Sequence, residues 1–300
     1  MSSDLIYLDY NASTPVRPQV AEIAQRTLAL GGNPSSVHRF GRLARGVVEK
    51  SRDSVATVVS ADPSSIIFTS GGTEANALGI HSLVTNGVGR LIILATEHDS
   101  IIAAAYNSGI EVVEVPVLSS GRINLEALEK ALSDGSRAGV AVHLANNETG
   151  VIQPIREVAN YVHAKGGLLH CDAIQGLGRI KVDLKKLGAD TFSFSAHKIG
   201  GPQGVGAIIA NNYSLLSPMQ LGGGQERGLR AGTENVPGIA GFGRAAELAI
   251  DDLNNAQSLQ SLRDYLESNL IARFPSVSII GKDSERLPNT TCLAFSSVTS

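Results

Sequence analysis

From Val16 onward the apolar positions recur at helical spacing: Val20, Ile23, Ala24, Thr27 and Leu28 share one face, and Gly31 and Gly32 stop the pattern. Short apolar runs then alternate with helical stretches, with strands predicted at residues 66–68, 91–95, 140–145, 167–171 and 191–194. Strands that alternate with helices predict an α/β chain with a mainly parallel sheet flanked by helices. Pro154 opens a helix whose Ile155, Val158, Ala159 and Val162 share a face, and Gly166-Gly167 closes it. Residues 239–273 read as one or two long helices. The SVSII run, the turn-like residues 281–289 and a last run at 291–295 predict the start of a smaller α+β unit. A GxGxxA string at Gly241, Gly243 and Ala246 follows helical sequence instead of a strand, so it is no dinucleotide fingerprint.

Ligands of an open parallel sheet bind outside the carboxyl ends of its strands. The five runs lead into TSGGTEAN, TEHDS, NNETG, DAIQG and SAHKIGG, and these polar clusters are expected to converge on one rim. Ser70-Gly71-Gly72-Thr73 precedes a helix, where free N–H groups and the positive helix end suit an anion such as phosphate. A threonine cap after a tight turn explains the same residues equally well. Lys198 ends an alternating strand, next to His197 and ahead of Gly200-Gly201. A surface lysine is the simpler reading; a lysine on a glycine-lined rim suits a Schiff base, since burial lowers its pKa. Asp172, just past the apolar GLLHC, is placed to keep a pyridine nitrogen protonated, or to cap the next helix. His98 is either a solvated loop residue or a ring that stacks on a cofactor and relays protons. His170 and Asp172 share a strand face, but no third ligand stands at metal-binding spacing.

Composition narrows the classes. The chain has 300 residues, 43% hydrophobic and 18% charged, with a net charge of −3, so no basic stripe indicates nucleic acid or an anionic membrane. No run approaches the ~18 apolar residues of a membrane helix and the N-terminus lacks signal-peptide features, so the expected location is cytoplasmic. The 32 glycines exceed the ~7% average of ordinary proteins and suit backbone closely approached by a small ligand. Two cysteines, Cys171 and Cys292, build neither a disulfide scaffold nor a zinc site.

With Lys198, Asp172 and the glycine cup in place, the sequence resembles the cysteine desulfurases, pyridoxal-phosphate enzymes of the class V aminotransferase family with the fold type I architecture. The matching stretches are YLDYNASTP, GNPSSVHRFGR, FTSGGTEANALG, TEHDSI, NNETGVIQPI, HCDAIQGLGRIKVDL, SFSAHKIGGPQGVG, LRAGTENVPGIAGF and LPNTTCLAF, in the family's order. The resemblance implies that Lys198 is the Schiff-base lysine, Asp172 the partner of the pyridinium nitrogen and His98 the ring stacked on the cofactor. Asn147 and Gln175 would contact the ring oxygen and its surroundings. Gly72, Thr73, Ser195 and His197 would hold the phosphate, with Thr233 reaching in from the second subunit of a homodimer. It also implies a large cofactor-binding domain at 16–240, and a smaller one built from 1–15 and 241–300. L-cysteine is the implied substrate and L-alanine the product. The sulfur would pass to an enzyme persulfide and on to a sulfur-acceptor protein or iron-sulfur scaffold.

In that family the nucleophilic cysteine lies on a loop after the strand matched by TTCLAF, and a carboxylate-binding arginine follows it. Cys292 matches the strand before the loop, and Cys171 faces a strand interior. The expectation is therefore a chain with an incomplete small domain, weak or inactive alone as a fragment or truncated product. A degenerate paralogue acting as subunit or interaction module, and another class V lyase or aminotransferase, are the alternatives.

Overall fold

The computed structural model describes residues 6–133 and 135–296. Two helices, α1 (Pro18–Leu28) and α2 (Arg39–Val59), precede the first strand, β1 (Ile66–Thr69). The chain continues through α3 (Gly72–Thr85), β2 (Arg90–Leu94), α4 (Asp99–Tyr106), β3 (Glu111–Val115), α5 (Leu125–Ala131) and β4 (Ala138–His143). It goes on to α6 (Ile155–Ala164), β5 (Leu168–Asp172), α7 (Leu184–Leu187), β6 (Thr191–Ser195) and β7 (Gly206–Ala210). It ends in α8 (Val236–Arg273), β8 (Val277–Ile279) and β9 (Leu293–Phe295).

Among the described residues the main sheet has seven strands in the order β1-β7-β6-β5-β4-β2-β3. Only β7 runs against its neighbours, so the sheet is mainly parallel, as the alternating pattern predicts. The carboxyl ends of β1, β2, β4, β5 and β6 consequently share one edge, the rim on which the polar clusters meet. Two strands escaped the hydrophobic pattern. In β3 the sequence EVVEV is an edge strand with one buried residue, Val115; β7, GAIIA, is buried throughout, and its reversed direction leaves no trace in periodicity.

Strand alternation divides the core. Cys171, Phe192 and Phe194 face the side covered by α6 and α8, whereas Ile67, Leu91, Ile93, Ala141 and Ile208 face α3 and α4. Phe192, Phe194 and Phe242 are fully buried, each worth ~1.5–3 kcal/mol of apolar transfer. Residues 239–273 form a single helix, since α8 runs unbroken for 38 residues. Its first half buries Ile239, Phe242, Ala245, Ala246 and Ala249, and the expected domain division at 240–241 falls inside this half. Gly241 and Gly243 of the discounted GxGxxA string lie here, where an added Cβ would strike Pro202 at 2.4 Å and Ser51 at 2.7 Å. They serve helix packing. The second half of α8 exposes Leu262 and Tyr265, and β8 and β9 pair antiparallel beyond it. The small unit's assigned ends, residues 1–5 and 297–300, lie outside the described residues.

Candidate active site

A cavity of about 250 Å³ opens at the strand ends, lined by Gly72, Thr73, His98, Asn147, Asp172, Gln175, Ser195, His197 and Lys198. The structure thus brings every residue expected from one subunit to a single place. Ser100, His143, Ala145 and Ile174 complete the lining.

One end of the cavity is the start of α3. Gly71 occupies the cap position with no side-chain hydrogen bond, so Thr73 is not the cap; it lies in the first turn. First-turn N–H groups have no acceptor within their own helix and carry the positive end of its dipole, which leaves them for an anion. Gly72 is closely surrounded: a Cβ there would stand 2.3 Å from Cδ1 of Ile174, which would have to turn aside, and 3.3 Å from Cβ of Ser195.

Asp172 ends β5 and is buried. It caps no helix, since turns follow it; its Oδ1 accepts from the Ile174 N–H at 3.0 Å and its Oδ2 from Asn76 Nδ2 at 2.7 Å. Burial first, and the nearby Glu97 carboxylate second, push its pKa above the ordinary aspartate value despite these donors. Behind Asn76 stands His170, whose Nε2 faces Asn76 Oδ1 at 3.1 Å while Nδ1 faces the Thr191 hydroxyl at 2.8 Å. Burial lowers this imidazole to about 3, so the ring is neutral, and donation to Asn76 places its hydrogen on Nε2. Both ring nitrogens of His170 are thus engaged, and the described residues hold no group of three or more His, Cys, Asp or Glu side chains that could bind a metal with it. Asn76 also donates to Ser100 Oγ at 2.9 Å, and that hydroxyl meets His98 Nδ1 at 2.8 Å. The Ser100 N–H points at the same nitrogen, so His98 Nδ1 is an acceptor and its hydrogen resides on Nε2.

Lys198 follows β6 on a short 3₁₀ turn that ends at Gly200, whose φ of +76° suits glycine. Its Nζ donates to the carbonyls of Asn11 at 2.6 Å and Ala12 at 2.9 Å. Burial, then the Arg179 guanidinium, hold the amine below the usual lysine range, against the pull of Asp172. The N-terminal segment is stitched down at several further points. Gln175 Nε2 donates to the Asn11 carbonyl at 3.0 Å, Asn11 Nδ2 to the Asn147 carbonyl at 2.9 Å, and the Thr14 hydroxyl to the Lys198 carbonyl at 2.8 Å.

Thr233 stands apart. It is exposed on a separate cleft beside Arg230 and Glu234, with Arg230 paired to Glu74 of α3 at 2.9 Å. Neither cysteine lines the cavity. Burial pushes the Cys171 thiol well above the usual range and raises that of the half-buried Cys292. Sequence reasoning missed Asn11, Asn76, Glu97 and His143. His143 carried a usable signal, as the one ionisable residue inside the apolar run VAVHLA.

A family model described as "Aminotransferase class-V" matches residues 6–300. A cysteine desulfurase of a Nostoc species is 40% identical over 298 residues, covering 97% of this chain and 74% of the relative. One from Cereibacter sphaeroides is 41% identical, covering 97% and 76%. Among solved structures, a NifS-like protein from Rickettsia africae superposes with a TM-score of 0.91 at 38% identity, covering 98% of this chain and 82% of that one. DndA from Streptomyces lividans superposes with a TM-score of 0.85 at 35% identity, covering 98% and 86%.

Proposed function

Since the chain belongs to the class V aminotransferases and, among them, to the cysteine desulfurases, we propose that the rim cavity binds pyridoxal phosphate and acts on free L-cysteine, releasing L-alanine. The observation that carries this reading is the convergence of Lys198, Asp172 and the α3 amino terminus on one cavity. The donor set fits the cofactor group by group: an amine for the aldehyde, a buried carboxylate for the ring nitrogen, and N–H groups with Thr73, Ser195 and His197 for the phosphate. Gly72, closed in by the side chains of Ile174 and Ser195, belongs to the same cradle. Asn147 and Gln175 would lie along the ring oxygen, and His98 against the ring.

When bound, pyridoxal phosphate supplies an electron sink for the charge released at the substrate α-carbon. The chain's residues arrange the protons around it. Asp172, fixed by Asn76 and the Ile174 N–H, would hold the ring nitrogen and offer it a negative charge. Lys198 Nζ, its pKa lowered by burial and Arg179, is neutral for more of the time than an exposed lysine and so is better able to take and return a proton. His98, with Nδ1 held by Ser100, presents a fixed tautomer at the rim.

Neither Cys171 nor Cys292 serves as the thiolate that takes the substrate sulfur, because both are held protonated and off the cavity. Thr233, exposed on its own cleft, would serve the phosphate of a second subunit in a homodimer, and a sulfur-acceptor protein or iron-sulfur scaffold would be the downstream partner. No helix among the described residues is long and apolar enough to cross a membrane. The test is direct: mixed with pyridoxal phosphate and desalted, the protein should keep a visible absorption band that Lys198→Ala loses. A wild-type protein that retains no band would sink the cofactor assignment.

A further inference from the structure

Two buried polar atoms beside the cavity have no partner among the described residues: Nε2 of His143 and Oε2 of Glu97. Their other halves are bound to each other. Glu97 Oε1 accepts from the His143 main-chain N–H at 2.6 Å and from its Nδ1 at 2.9 Å, and both side chains are more than nine-tenths buried. Glu97 comes from the loop after β2 and His143 from the last position of β4, directly across from Asp172 on β5. The charged and titratable groups near this pair are Asp172 itself, the buried Cys171 thiol and, beyond Asp172, Lys198. Burial alone would discharge the His143 ring; the Glu97 carboxylate outweighs it and Asp172 adds to the effect, so the ring's pKa lies above the ordinary value. Taken alone, Glu97 has the opposite influence on the cavity, since its charge makes Asp172 harder to ionise.

We propose that His143 is a positioning residue for Asp172: as the imidazolium half of a buried pair with Glu97, it cancels a carboxylate that otherwise repels Asp172, and so leaves Asp172 anionic toward the ring nitrogen of pyridoxal phosphate. This rests on the cofactor assignment above. A lone carboxylate behind Asp172 is costly in a low-dielectric site, and a neutral site or a paired one is not. The loop glutamate and the strand histidine thus form one unit, and removing the histidine alone is worse than removing both.

The experiment is a titration with pyridoxal phosphate, read by visible absorbance, on wild type, His143→Met, Glu97→Gln and the double variant. His143→Met should raise the Kd at least ~10-fold, the equivalent of one pKa unit at Asp172, and adding Glu97→Gln should restore it to within ~3-fold of wild type. Circular dichroism checks folding; if His143→Met does not fold, His143→Gln, which keeps a donor but no charge, carries the same expectation. Glu97→Gln alone should bind within ~3-fold of wild type, since it removes the repelling charge; a His143→Met variant that binds as tightly as wild type overturns the inference. So does a double variant as weak as His143→Met, which would make the ring's role packing alone. A wild type that binds no pyridoxal phosphate removes the cofactor assignment and this inference with it, whereas a binding wild type with an unaffected His143→Met variant removes only the inference.

Discussion

The Asn76 side-chain amide donates to Asp172 at 2.7 Å across 96 positions of sequence, so a residue of α3 orients the carboxylate at the end of β5. The other end of that amide meets His170, and helix and strand approach closely enough at Gly79 that a Cβ there would lie 2.4 Å from the His170 ring.

Gly79→Ala should therefore destabilise the protein by about 1–3 kcal/mol in equilibrium urea unfolding, the usual cost of overpacking a filled core. It should also weaken cofactor retention, because the displaced ring pushes on Asn76. Gly46→Ala, at an exposed α2 position with nothing within 4 Å, should stabilise by about 0.5–1 kcal/mol through helix propensity. Equal effects of the two substitutions would refute the crowding argument.

Acid should loosen the same network. Burial holds His170 at about 3 when folded, against an ordinary value of 6.5, so between these limits the unfolded chain binds the extra proton and stability falls as pH falls. The contribution is intact above pH 6.5 and shrinks by about 1.4 kcal/mol for each unit below it. Compared with His170→Asn, the wild type should lose roughly 2 kcal/mol more between pH 7 and pH 5. Parallel pH profiles for the two proteins would contradict a neutral buried ring.

Thiol chemistry offers an independent check. A disulfide reagent should label Cys292 slowly and leave Cys171 untouched in the native protein, with both reacting in denaturant. Cys171→Ser and Cys292→Ser should each change any sulfide release from L-cysteine by less than about twofold. Loss of turnover in either variant would assign it the nucleophilic role denied here.

Away from the cavity, Arg52 and Glu226 form a buried bidentate pair at 2.8 and 2.9 Å, and Glu226 also accepts the Phe68 N–H at 2.8 Å. This pair anchors the segment that carries Arg230 and Thr233, although Glu226 and Arg227 both adopt left-handed backbone angles. Arg52→Ala leaves a carboxylate buried without its counterion and should cost about 3–5 kcal/mol. A loss below about 1 kcal/mol in thermal or urea unfolding would show that the pair is not buried in solution.

What the sequence disclosed was local. Five apolar runs ending in polar clusters located the strands and, by the rule for parallel sheets, the rim; Lys198, Asp172 and Gly72 could be found because each stands at such an end. Asn76 and Glu97 were hidden because their importance lies in partners far along the chain. Nothing in TEAN or TEHDS says that one amide reaches Asp172 or that one carboxylate meets His143. Asn11 was hidden for a different reason: it acts partly through its carbonyl, which no side-chain pattern reveals. Thr233 was matched by motif, and its place on a separate cleft fits a role that a single chain does not fulfil.

The two carbonyls that hold the Lys198 amine give the start of the chain an unexpected standing. Because the carbonyls of residues 11 and 12 accept from that amine, this segment helps to set the amine's position and surroundings. An affinity tag, a protease nick or a fusion that lifts these first residues would alter the lysine before it disturbed any strand. In handling this protein, the segment around Asn11 and Ala12 is best treated as part of the candidate site.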